Sequence, residues 1–476
     1  MIMIATAVVG VFVFCLFFVW YRKPNNFPPG PRGFPLVGVA PFLGKFPEKT
    51  LAKYGEKYGN VISIRLGPKP CVVLNDLEAV TEALVKQGES FSGRPHNAII
   101  SELSQDYGIT FIDSGDLWKT QRKFGLATLK KLGVGKQSME LTINEQISIL
   151  MNKFKALNGK PFEFKEMIRK CFANSTCVVL MGCGYPYDHP TFEAILSNLP
   201  EGLAAVTIPF LRHFPPFRKP YQRVLKKVET LRGIIKDVVE EHKVAFNHEN
   251  VRDFIDYYLI EMKTNREGFK EEQLHQYIMD LLVGGIDSSV ASIGWGVISL
   301  IHNPGIQEKL RKEIDQVIGD CSPSMSHEQD MPYMRAFIQE NHRFKTLAEL
   351  NVPHCTKNRV KIFGYEIPKG TMIFTNIWNV HNDSRVWKNP EIFNPERHLD
   401  ENGKFVKSSH VIPFAVGYRS CIGKILAKFT LFLFFTNFLQ KFVVLADPHD
   451  QLPSYDKDPK STFSSPYPYP VIVKER

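Results

Sequence analysis

The stretch PFAVGYRSCIG, Pro413–Gly423, places a cysteine in a short, glycine-rich turn just before an apolar segment. Cys421 is one of eight cysteines in 476 residues, and Arg419 stands two positions before it. A thiol filling the core, half of a disulfide, or a metal ligand would each account for a cysteine here. The rest of the chain has to separate these possibilities.

The other cysteines offer Cys421 no recognisable partner. No C-x-x-C pair occurs, which argues against a zinc ribbon or a thioredoxin-type site. Eight cysteines are too few for a disulfide scaffold in a chain of this length and are typical of a reducing compartment. Glycosylation sequons begin at Asn174 and Asn382, and we take them as chance matches on a cytosolic domain.

The charge of the chain is positive but diffuse. The formal net charge is +10, from 59 Lys and Arg against 49 Asp and Glu. No dense basic run or basic–aromatic repeat appears, which argues against a nucleic-acid partner. A diffuse positive balance is typical of proteins that meet an anionic membrane surface or an acidic protein.

The N-terminal twenty residues contain no charged side chain and would form about 30 Å of helix, enough to cross a bilayer. The charges Arg22 and Lys23 follow this stretch and no small-x-small cleavage site is present, so a retained signal anchor is favoured over a cleaved signal. A buried helix of a soluble protein is the alternative. The positive-inside rule predicts a cytosolic main domain. We therefore predict a transmembrane anchor at 1–20, a basic, Pro/Gly-rich linker at 21–38 and a catalytic domain at 39–476.

The rest of the chain is predicted to be mainly α with small β-sheets. VISIRLG (61–67) and CVVLND (71–76) have the β-branched composition of strands, and RVKIFGYEIPKGTMIF (359–374) alternates as strands do. Residues 271–302 form one apolar helix candidate that ends at an Asn-Pro-Gly stop and would span about 48 Å. A final helix is predicted over 423–442.

The opening stretch fits the pattern F-x-x-G-x-R-x-C-x-G through Phe414, Gly417, Arg419, Cys421 and Gly423. This signature resembles the haem-binding loop of cytochrome P450. The resemblance covers nearly the whole chain and is closest to the microsomal family-2 enzymes, as FSGRP, MPYMRAFIQE and PEIFNPERHLDENGKF illustrate. It implies the cytochrome P450 fold and haem b (iron protoporphyrin IX), with NADPH used only indirectly.

By this resemblance Cys421 is the thiolate ligand of haem iron, which favours O–O cleavage. A thiolate needs a lowered pKa, so backbone N–H donors and the positive end of a helix should lie near it. Gly417 and Gly423 allow tight turns beside a flat ring, and Arg419 can bind a haem propionate. Phe414 belongs to the same cofactor-binding loop.

Further haem contacts are implied at Trp118 and Arg122, which lie four apart on one helical face, and at His354 in NVPHC. The resemblance makes all three propionate partners. Taken alone, a core tryptophan beside a surface arginine and a hydrogen-bonded core histidine would explain them equally well. Gln105 stands roughly where close relatives keep a propionate-binding arginine.

Glu340 and Arg343 are i,i+3 neighbours that would otherwise suggest a surface ion pair. The resemblance joins them to Arg397 in a buried network that serves folding and haem retention. His398 follows Arg397 where an aromatic residue is usual in the family.

GGIDSS, 284–289, interrupts the apolar pattern of the long helix. The two glycines alone would suit a notch for helix packing. The resemblance makes Asp287 and Ser288 the acid–alcohol pair that relays protons to the oxygen site. Threonine is usual at the second position, and serine keeps the hydroxyl but loses the methyl group and the stiff rotamer.

Electrons must come from outside, because the chain has no flavin or nicotinamide fingerprint. The resemblance implies NADPH-cytochrome P450 reductase, with cytochrome b5 as a further donor. A basic face complementary to an acidic donor is predicted from Lys123, Lys130, Lys131, Lys136, Lys424 and Lys428. The residues at the family's pocket positions are mostly apolar, namely Thr110, Phe111, Val283, Gly284, Val352 and Phe463.

These observations predict a haem-thiolate monooxygenase on the cytosolic side of the endoplasmic reticulum, held by a single membrane span. It would insert one oxygen atom of O2 into a hydrophobic small molecule such as a fatty acid, sterol or xenobiotic. Two alternatives are a P450-fold isomerase or dehydratase that acts on peroxides without a reductase, and a non-catalytic haem binder.

Overall fold

The structure, a computed structural model, describes residues 24–35, 37–67, 69–200, 215–459 and 461–476. The predicted membrane anchor at 1–20 lies outside the described residues, as does part of the linker. The described chain is mostly helical with small β-sheets, which confirms the predicted class.

The helices in these ranges are α1 Pro47–Tyr58, α2 Leu77–Thr81, α3 Ala98–Ser104, α4 Asp116–Lys131, α5 Gln137–Ala156, α6 Phe164–Met181, α7 Pro190–Asn198, α8 Pro215–Ala245, α9 Phe254–Lys263, α10 Glu271–His302, α11 Pro304–Val317, α12 Pro332–Phe344, α13 Ile377–Asn382 and α14 Lys424–Lys441. The strands are β1 Val61–Leu66, β2 Lys69–Leu74, β3 Phe162–Glu163, β4 His354–Cys355, β5 Val360–Ile362, β6 Tyr365–Ile367, β7 Met372–Thr375, β8 Phe442–Ala446 and β9 Pro470–Glu475.

The chain forms two compact units. We call the first the sheet unit; it comprises the described residues up to Pro95 together with 348–388 and 415–420. The second, the helical unit, comprises the described residues of 96–347, 389–414 and 421–476. The prediction treated residues 39–476 as one catalytic domain, and that functional assignment stays a prediction.

The sheet unit is built on four strands in the order β1-β2-β7-β4. β1 and β2 pair antiparallel, β7 runs parallel to β2, and β4 pairs antiparallel with β7. Alternate β-branched side chains such as Ile62, Ile64 and Val73 are buried beneath this sheet, which is why the VISIRLG and CVVLND segments form strands. A bridge from Gly93 to Cys355 brings the FSGRP segment beside the strand that carries His354.

The helical unit is organised around α10, whose bounds agree with the prediction for 271–302. The helix is apolar on most of its circumference and ends where Pro304 cannot continue it. Of the helices in the described ranges, α10 alone is long and apolar enough to cross a membrane, but most of its apolar part is buried. Its large side chains Tyr277 and Trp295 are fully buried, so α10 is a core helix.

A close approach at Gly125 fixes α4 against α10. A Cβ atom at this position would lie 1.9 Å from Tyr277 Oη and 3.1 Å from Ile422 Cδ1. Only a residue without a side chain therefore lets α10 and the segment that follows Cys421 approach α4 so closely. Arg122 and Trp118 lie about one and two turns earlier on α4; Trp118 is buried and Arg122 is partly buried.

Candidate active site

Cys421 lies immediately before α14, which begins at Lys424. Its N–H donates to the carbonyl oxygen of Phe414 at 2.9 Å and so closes the loop on its N-terminal side. The N–H of Gly423 is directed at the thiol, and an added Cβ on Gly423 would lie 3.9 Å from the Cys421 Sγ atom. The thiol thus has an N–H donor and the positive end of an 18-residue helix beside it.

The electrostatic surroundings of Cys421 differ from those of a core cysteine. Burial raises the pKa of Cys171 to about 12, with little to oppose it. Burial is also the largest influence on Cys421 and leaves its pKa above the ordinary value, although the Gly423 N–H, Arg122 and Lys424 each act to lower it. Cys421 thus differs from Cys171 in having an N–H donor and two cations that favour the thiolate.

Within the sheet unit, Gly417 and Arg419 are held by the segments around Leu84 and Ser92. Gly417 has a φ of +78°, and a Cβ there would lie 1.8 Å from the Leu84 carbonyl oxygen, so this position requires glycine. The Arg419 side chain is buried, and its Nε donates to the Ser92 carbonyl oxygen at 2.7 Å.

His354 lies beside two guanidinium groups of the sheet unit. Its Nδ1 is 2.8 Å from the Phe91 carbonyl oxygen, so Nδ1 carries the proton in the neutral ring. Burial and the positive charge of Arg94, with a smaller effect of Arg419, lower its pKa to about 3. His354 is therefore neutral, and the positive potential of this region, which suits an anionic carboxylate, comes from Arg94 and Arg419.

Arg94, in the FSGRP segment, is a further basic residue of this region that the sequence pattern does not predict. Its side chain is buried, and Nη1 donates to the carbonyl oxygens of Val352 and Pro353 at 2.9 and 2.8 Å. A basic residue directly before a proline belongs to no periodic pattern. Its interaction with His354 depends on residues that lie far apart in the sequence.

Trp118 and Arg122 share one face of α4, as their spacing predicts. The Arg122 guanidinium lies 5.5 Å from the centre of the Trp118 ring. Burial lowers the Arg122 pKa, while Tyr277 and Cys421 act in the opposite direction, so this cation interacts electrostatically with the thiol. Trp118 Nε1 donates to the Ile109 carbonyl oxygen at 3.1 Å, so the N–H assigned to a propionate has a backbone acceptor in this structure.

Glu340 is the centre of a buried ionic network. Arg343 makes two hydrogen bonds of 2.8 Å to its two carboxylate oxygens, and Arg397 Nε approaches Oε1 at 3.0 Å. Burial raises the Glu340 pKa, but hydrogen bonds from Arg343 and His398 and the charge of Arg343 outweigh it, so the pKa lies below its ordinary value. Glu340 and Arg343 are both completely buried.

His398 is a member of this network, a role that sequence reasoning missed. Its Nε2 lies 3.0 Å from Glu340 Oε2, and its Nδ1 lies 2.8 Å from Gln339 Nε2. Because the Gln339 amide donates to Nδ1, the histidine proton sits on Nε2 and faces the carboxylate. The residue that departs from the family's usual aromatic therefore supplies a hydrogen bond.

Asp287 and Ser288 lie on α10, which is continuous through the GGIDSS segment. Ser288 Oγ donates to the Gly284 carbonyl oxygen at 2.7 Å, one turn earlier. Asp287 Oδ1 accepts a hydrogen bond of 3.0 Å from Arg169 Nε on α6. Arg169 was not a sequence candidate. Its only signal is a positive charge on a helix whose neighbouring positions are largely buried.

The expected pocket residues of the helical unit are partly buried or exposed rather than core. The loop that carries Thr110 is tied to α10, because Asp280 Oδ2 accepts from the N–H groups of Ile109 and Thr110 at 2.7 and 2.9 Å. A Cβ on Gly284 would meet no atom within 4 Å, so the helix faces open space there. Val352 belongs to the sheet unit, where its carbonyl accepts from Arg94.

The six lysines of the predicted basic face are all exposed. A Cβ on Gly135 would lie 3.6 Å from Ile425 Cγ2, so the start of α5 lies against the start of α14. The neighbours in sequence of these two residues are Lys136 and Lys424. Lys407 and Arg335 lie close enough to lower the Lys428 pKa, although burial is the larger cause.

Asn174 cannot be glycosylated in the folded unit. It is buried, and its Nδ2 donates to the Tyr185 carbonyl oxygen at 2.9 Å while its Oδ1 accepts from the Tyr185 N–H at 2.7 Å. This agrees with its interpretation as a chance sequon.

The donor set fits haem. A thiol at a helix N-terminus suits an iron ligand, and buried basic groups suit the two propionates. Position 417 requires glycine because the loop makes a tight turn there, with a positive φ and the Leu84 carbonyl oxygen close by.

Comparison with known proteins gives the same family. The model of the cytochrome P450 family matches residues 28–473. The chain is 32% identical to cytochrome P450 2U1 of Bos taurus over 496 residues, covering 96% of this chain and 91% of that protein. It is 33% identical to cytochrome P450 2U1 of Homo sapiens over 502 residues, covering 96% and 90%. It is 34% identical to cytochrome P450 2C5 of Oryctolagus cuniculus over 461 residues, covering 94% of each. The chain therefore belongs to the cytochrome P450 family and is a cytochrome P450 monooxygenase.

Proposed function

We propose that this monooxygenase inserts one oxygen atom of O2 into a hydrophobic small molecule, with electrons from an NADPH-dependent reductase, while the second oxygen atom leaves as water. The observation that carries the proposal is the Cys421 thiol at the start of α14, next to the Gly423 N–H and within the field of Arg122 and Lys424. Haem b, when bound through this thiolate, supplies the oxidising chemistry.

The basic side chains would bind the haem carboxylates. Arg419, Arg122 and Arg94 carry permanent charge and can donate charge-assisted hydrogen bonds. His354 differs, because its Nδ1–H is directed at the Phe91 carbonyl and its Nε2 is an acceptor in the neutral ring. Contact with a propionate would therefore require His354 to take up a proton at Nε2. Trp118 would have to share or release its bond to Ile109.

Asp287 and Ser288 would move protons on the α10 side of the site. Ser288 Oγ donates its own proton to Gly284 and keeps lone pairs that can accept one. Asp287 can take a proton from water and return to the carboxylate form. The Glu340 network would hold α12 to the PER segment, and so would act on folding and haem retention rather than on chemistry.

We infer the substrate class from the largely apolar residues at the expected pocket positions. A pocket of this composition binds by burial of apolar surface and orients its ligand with few polar groups. Fatty acids, sterols and foreign compounds share that chemistry.

We also propose that residues 1–20 anchor the protein in the endoplasmic reticulum membrane with residues 39–476 in the cytosol.

The exposed lysines around Lys136, Lys424 and Lys428 would dock an acidic electron donor, a reductase or cytochrome b5. Replacing Lys424 and Lys428 together by glutamate should raise the KM for reductase about tenfold, with the strongest effect at low salt. Lys160→Glu, an exposed charge before β3, is the matched control. Equal KM values in the two proteins would contradict this docking site.

The main test is the difference spectrum of the reduced, carbon monoxide-treated protein. We expect a band at about 450 nm, the absorption that gives the family its name. Cys421→Ala should abolish the band, whereas Cys321→Ala, another exposed cysteine, should leave it unchanged. With reductase, the wild-type protein should oxidise an apolar substrate only when NADPH is present. An unchanged band in Cys421→Ala, or peroxide rearrangement without NADPH, would overturn the proposal.

A further inference from the structure

A guanidinium from a neighbouring helix reaches the acid of the proposed proton pathway. Arg169 Nε on α6 lies 3.0 Å from Asp287 Oδ1 on α10. The side chains are only 16% and 24% exposed, so solvent screens this pair less than it screens a surface ion pair.

The arginine is presented by rigid packing between the two helices. Thr176 lies two turns after Arg169 on α6, and its side-chain atoms would lie 3.6 Å from a Cβ on Gly285. The next residue, Lys170, is engaged elsewhere, because its Nζ bonds to the Tyr187 carbonyl at 3.1 Å and to Glu193 at 2.5 Å. Of these two adjacent cations, α6 therefore directs only Arg169 at α10.

The hydrogen bond from Arg169 occupies one of the two carboxylate oxygens of Asp287, Oδ1. Among the residues that the structure describes, no protein donor is hydrogen-bonded to Asp287 Oδ2. The neighbouring Ser288 hydroxyl is held by Gly284, so neither member of the acid–alcohol pair donates to the other here. Arg169 thus restrains the rotation of the carboxylate at Oδ1 and leaves Oδ2 as the oxygen that can exchange a proton.

We propose that Arg169 is a positioning residue for Asp287, which makes proton delivery depend on a side chain of α6. The inference rests on the proposed role of Asp287 and Ser288 as the proton pathway. Asp287 Oδ2 takes a proton from water, releases it on the Ser288 side and returns to the carboxylate. Arg169 neither gains nor loses a proton in this cycle.

Loss of this restraint should lower the fraction of electrons that reaches product. When proton delivery is mistimed, O2 that has received two electrons from NADPH and two protons leaves as hydrogen peroxide. The variant should therefore consume NADPH while it forms less product and more peroxide. Substrate binding should not change, because Arg169 is not among the expected pocket residues.

The test compares Arg169→Gln, Arg169→Lys and the control Lys170→Gln in the haem-loaded full chain with reductase. Product, peroxide and NADPH are measured together, with KM and the substrate-induced shift of the haem spectrum as controls for binding. We expect Arg169→Gln to lower product per NADPH by about tenfold at unchanged KM, because a carboxylate that is loosened but still in place should cost less than the roughly hundredfold effect of a 1 Å misplacement. Arg169→Lys keeps the charge without the planar fork and should recover part of the loss. Lys170→Gln should match wild type.

Asp287→Asn separates failure of this inference from failure of the proton pathway. It should slow product formation about a hundredfold, as expected for loss of a general acid–base group. If Asp287→Asn has no effect, the proposed pathway is wrong. If Asp287→Asn is slow but Arg169→Gln stays coupled, only the positioning role is wrong.

A measurement independent of turnover compares the unfolding midpoints of Arg169→Gln, Asp287→Asn and the double variant that carries both substitutions. Residues in direct contact should give a non-additive double-mutant cycle, with the double variant no less stable than the less stable single variant. The losses of product per NADPH in these three variants should be non-additive in the same way. Additive effects in both cycles would overturn the contact as the basis of the positioning role.

Discussion

Replacing Glu340 by glutamine removes the negative charge from a site that two arginines and a histidine share. The carboxylate accepts five hydrogen bonds, two from Arg343 and one each from Arg397, His398 and the Asn394 N–H. Glutamine has one oxygen to accept them, and its NH2 group would face donors. Arg343 is completely buried, so its charge would lose its counter-ion without gaining water.

We expect Glu340→Gln to lower the free energy of unfolding by roughly 3–5 kcal/mol, the cost of leaving a buried charge unpaired. The matched control is Glu396→Gln in the same PER segment. Glu396 pairs with Lys309, and both side chains are more than half exposed, at 52% and 57%. Loss of that pair should cost less than about 1 kcal/mol.

The assay follows urea unfolding by circular dichroism together with the fraction of protein that keeps the band at about 450 nm. Glu340→Gln should unfold at lower urea and lose that band first, while Glu396→Gln should follow wild type. Equal unfolding midpoints for the two variants would refute the reasoning that burial sets the cost.

The same network predicts a pH dependence. The folded-state pKa of Glu340 lies below its ordinary value of 4.5, so its contribution is present above that pH and is lost as the pH falls through the folded-state pKa. The stability difference between wild type and Glu340→Gln should therefore be constant from neutral pH down to about 5 and shrink only in more acidic solution.

Two further predictions concern packing and a buried base. Gly125→Ala would put a methyl group 1.9 Å from Tyr277 Oη and should destabilise the protein by about 1–3 kcal/mol. Gly233→Ala, in open space on α8, should stabilise the protein by up to about 1 kcal/mol. Thermal unfolding of both variants checks this, and a Gly125→Ala protein as stable as wild type would contradict it. His342 is buried, and neither ring nitrogen has a partner among the described residues; burial and the charge of Lys428 lower its pKa to about 4. Because the unfolded chain binds that proton below its ordinary pKa of 6.5 and the folded chain does not, wild type should lose about 1.4 kcal/mol per pH unit between these values. His342→Leu should lack this loss in urea titrations at several pH values, and an unchanged pH slope would contradict the assignment.

Much of the fold was predictable because the relevant signals are local. The apolar run of α10 and its Asn-Pro-Gly stop predicted the helix to the residue. The β-branched segments predicted β1 and β2, because alternating burial of short strands is written into neighbouring positions. The spacing of the Cys421 loop predicted the family, since its glycines, arginine and cysteine lie within ten residues.

Contacts between distant segments escaped prediction. Arg169 and Asp287 are 118 residues apart, and Glu340 and His398 are 58 apart. Periodicity relates only residues within a few turns of one helix or strand, so it cannot pair a charge on α6 with one on α10. The bond from Trp118 to Ile109 is closer in sequence but depends on a loop with no regular pattern.

The amino-acid sequence by itself determined the family and the long core helix, because each depends on residue types at short, regular spacing. Only the tertiary structure decided which partners the functional side chains have: Arg169 on Asp287, His398 on Glu340, and Arg94 beside His354. The physical reason is that a side chain's charge and reach are local properties, whereas its partner is set by how helices and strands pack.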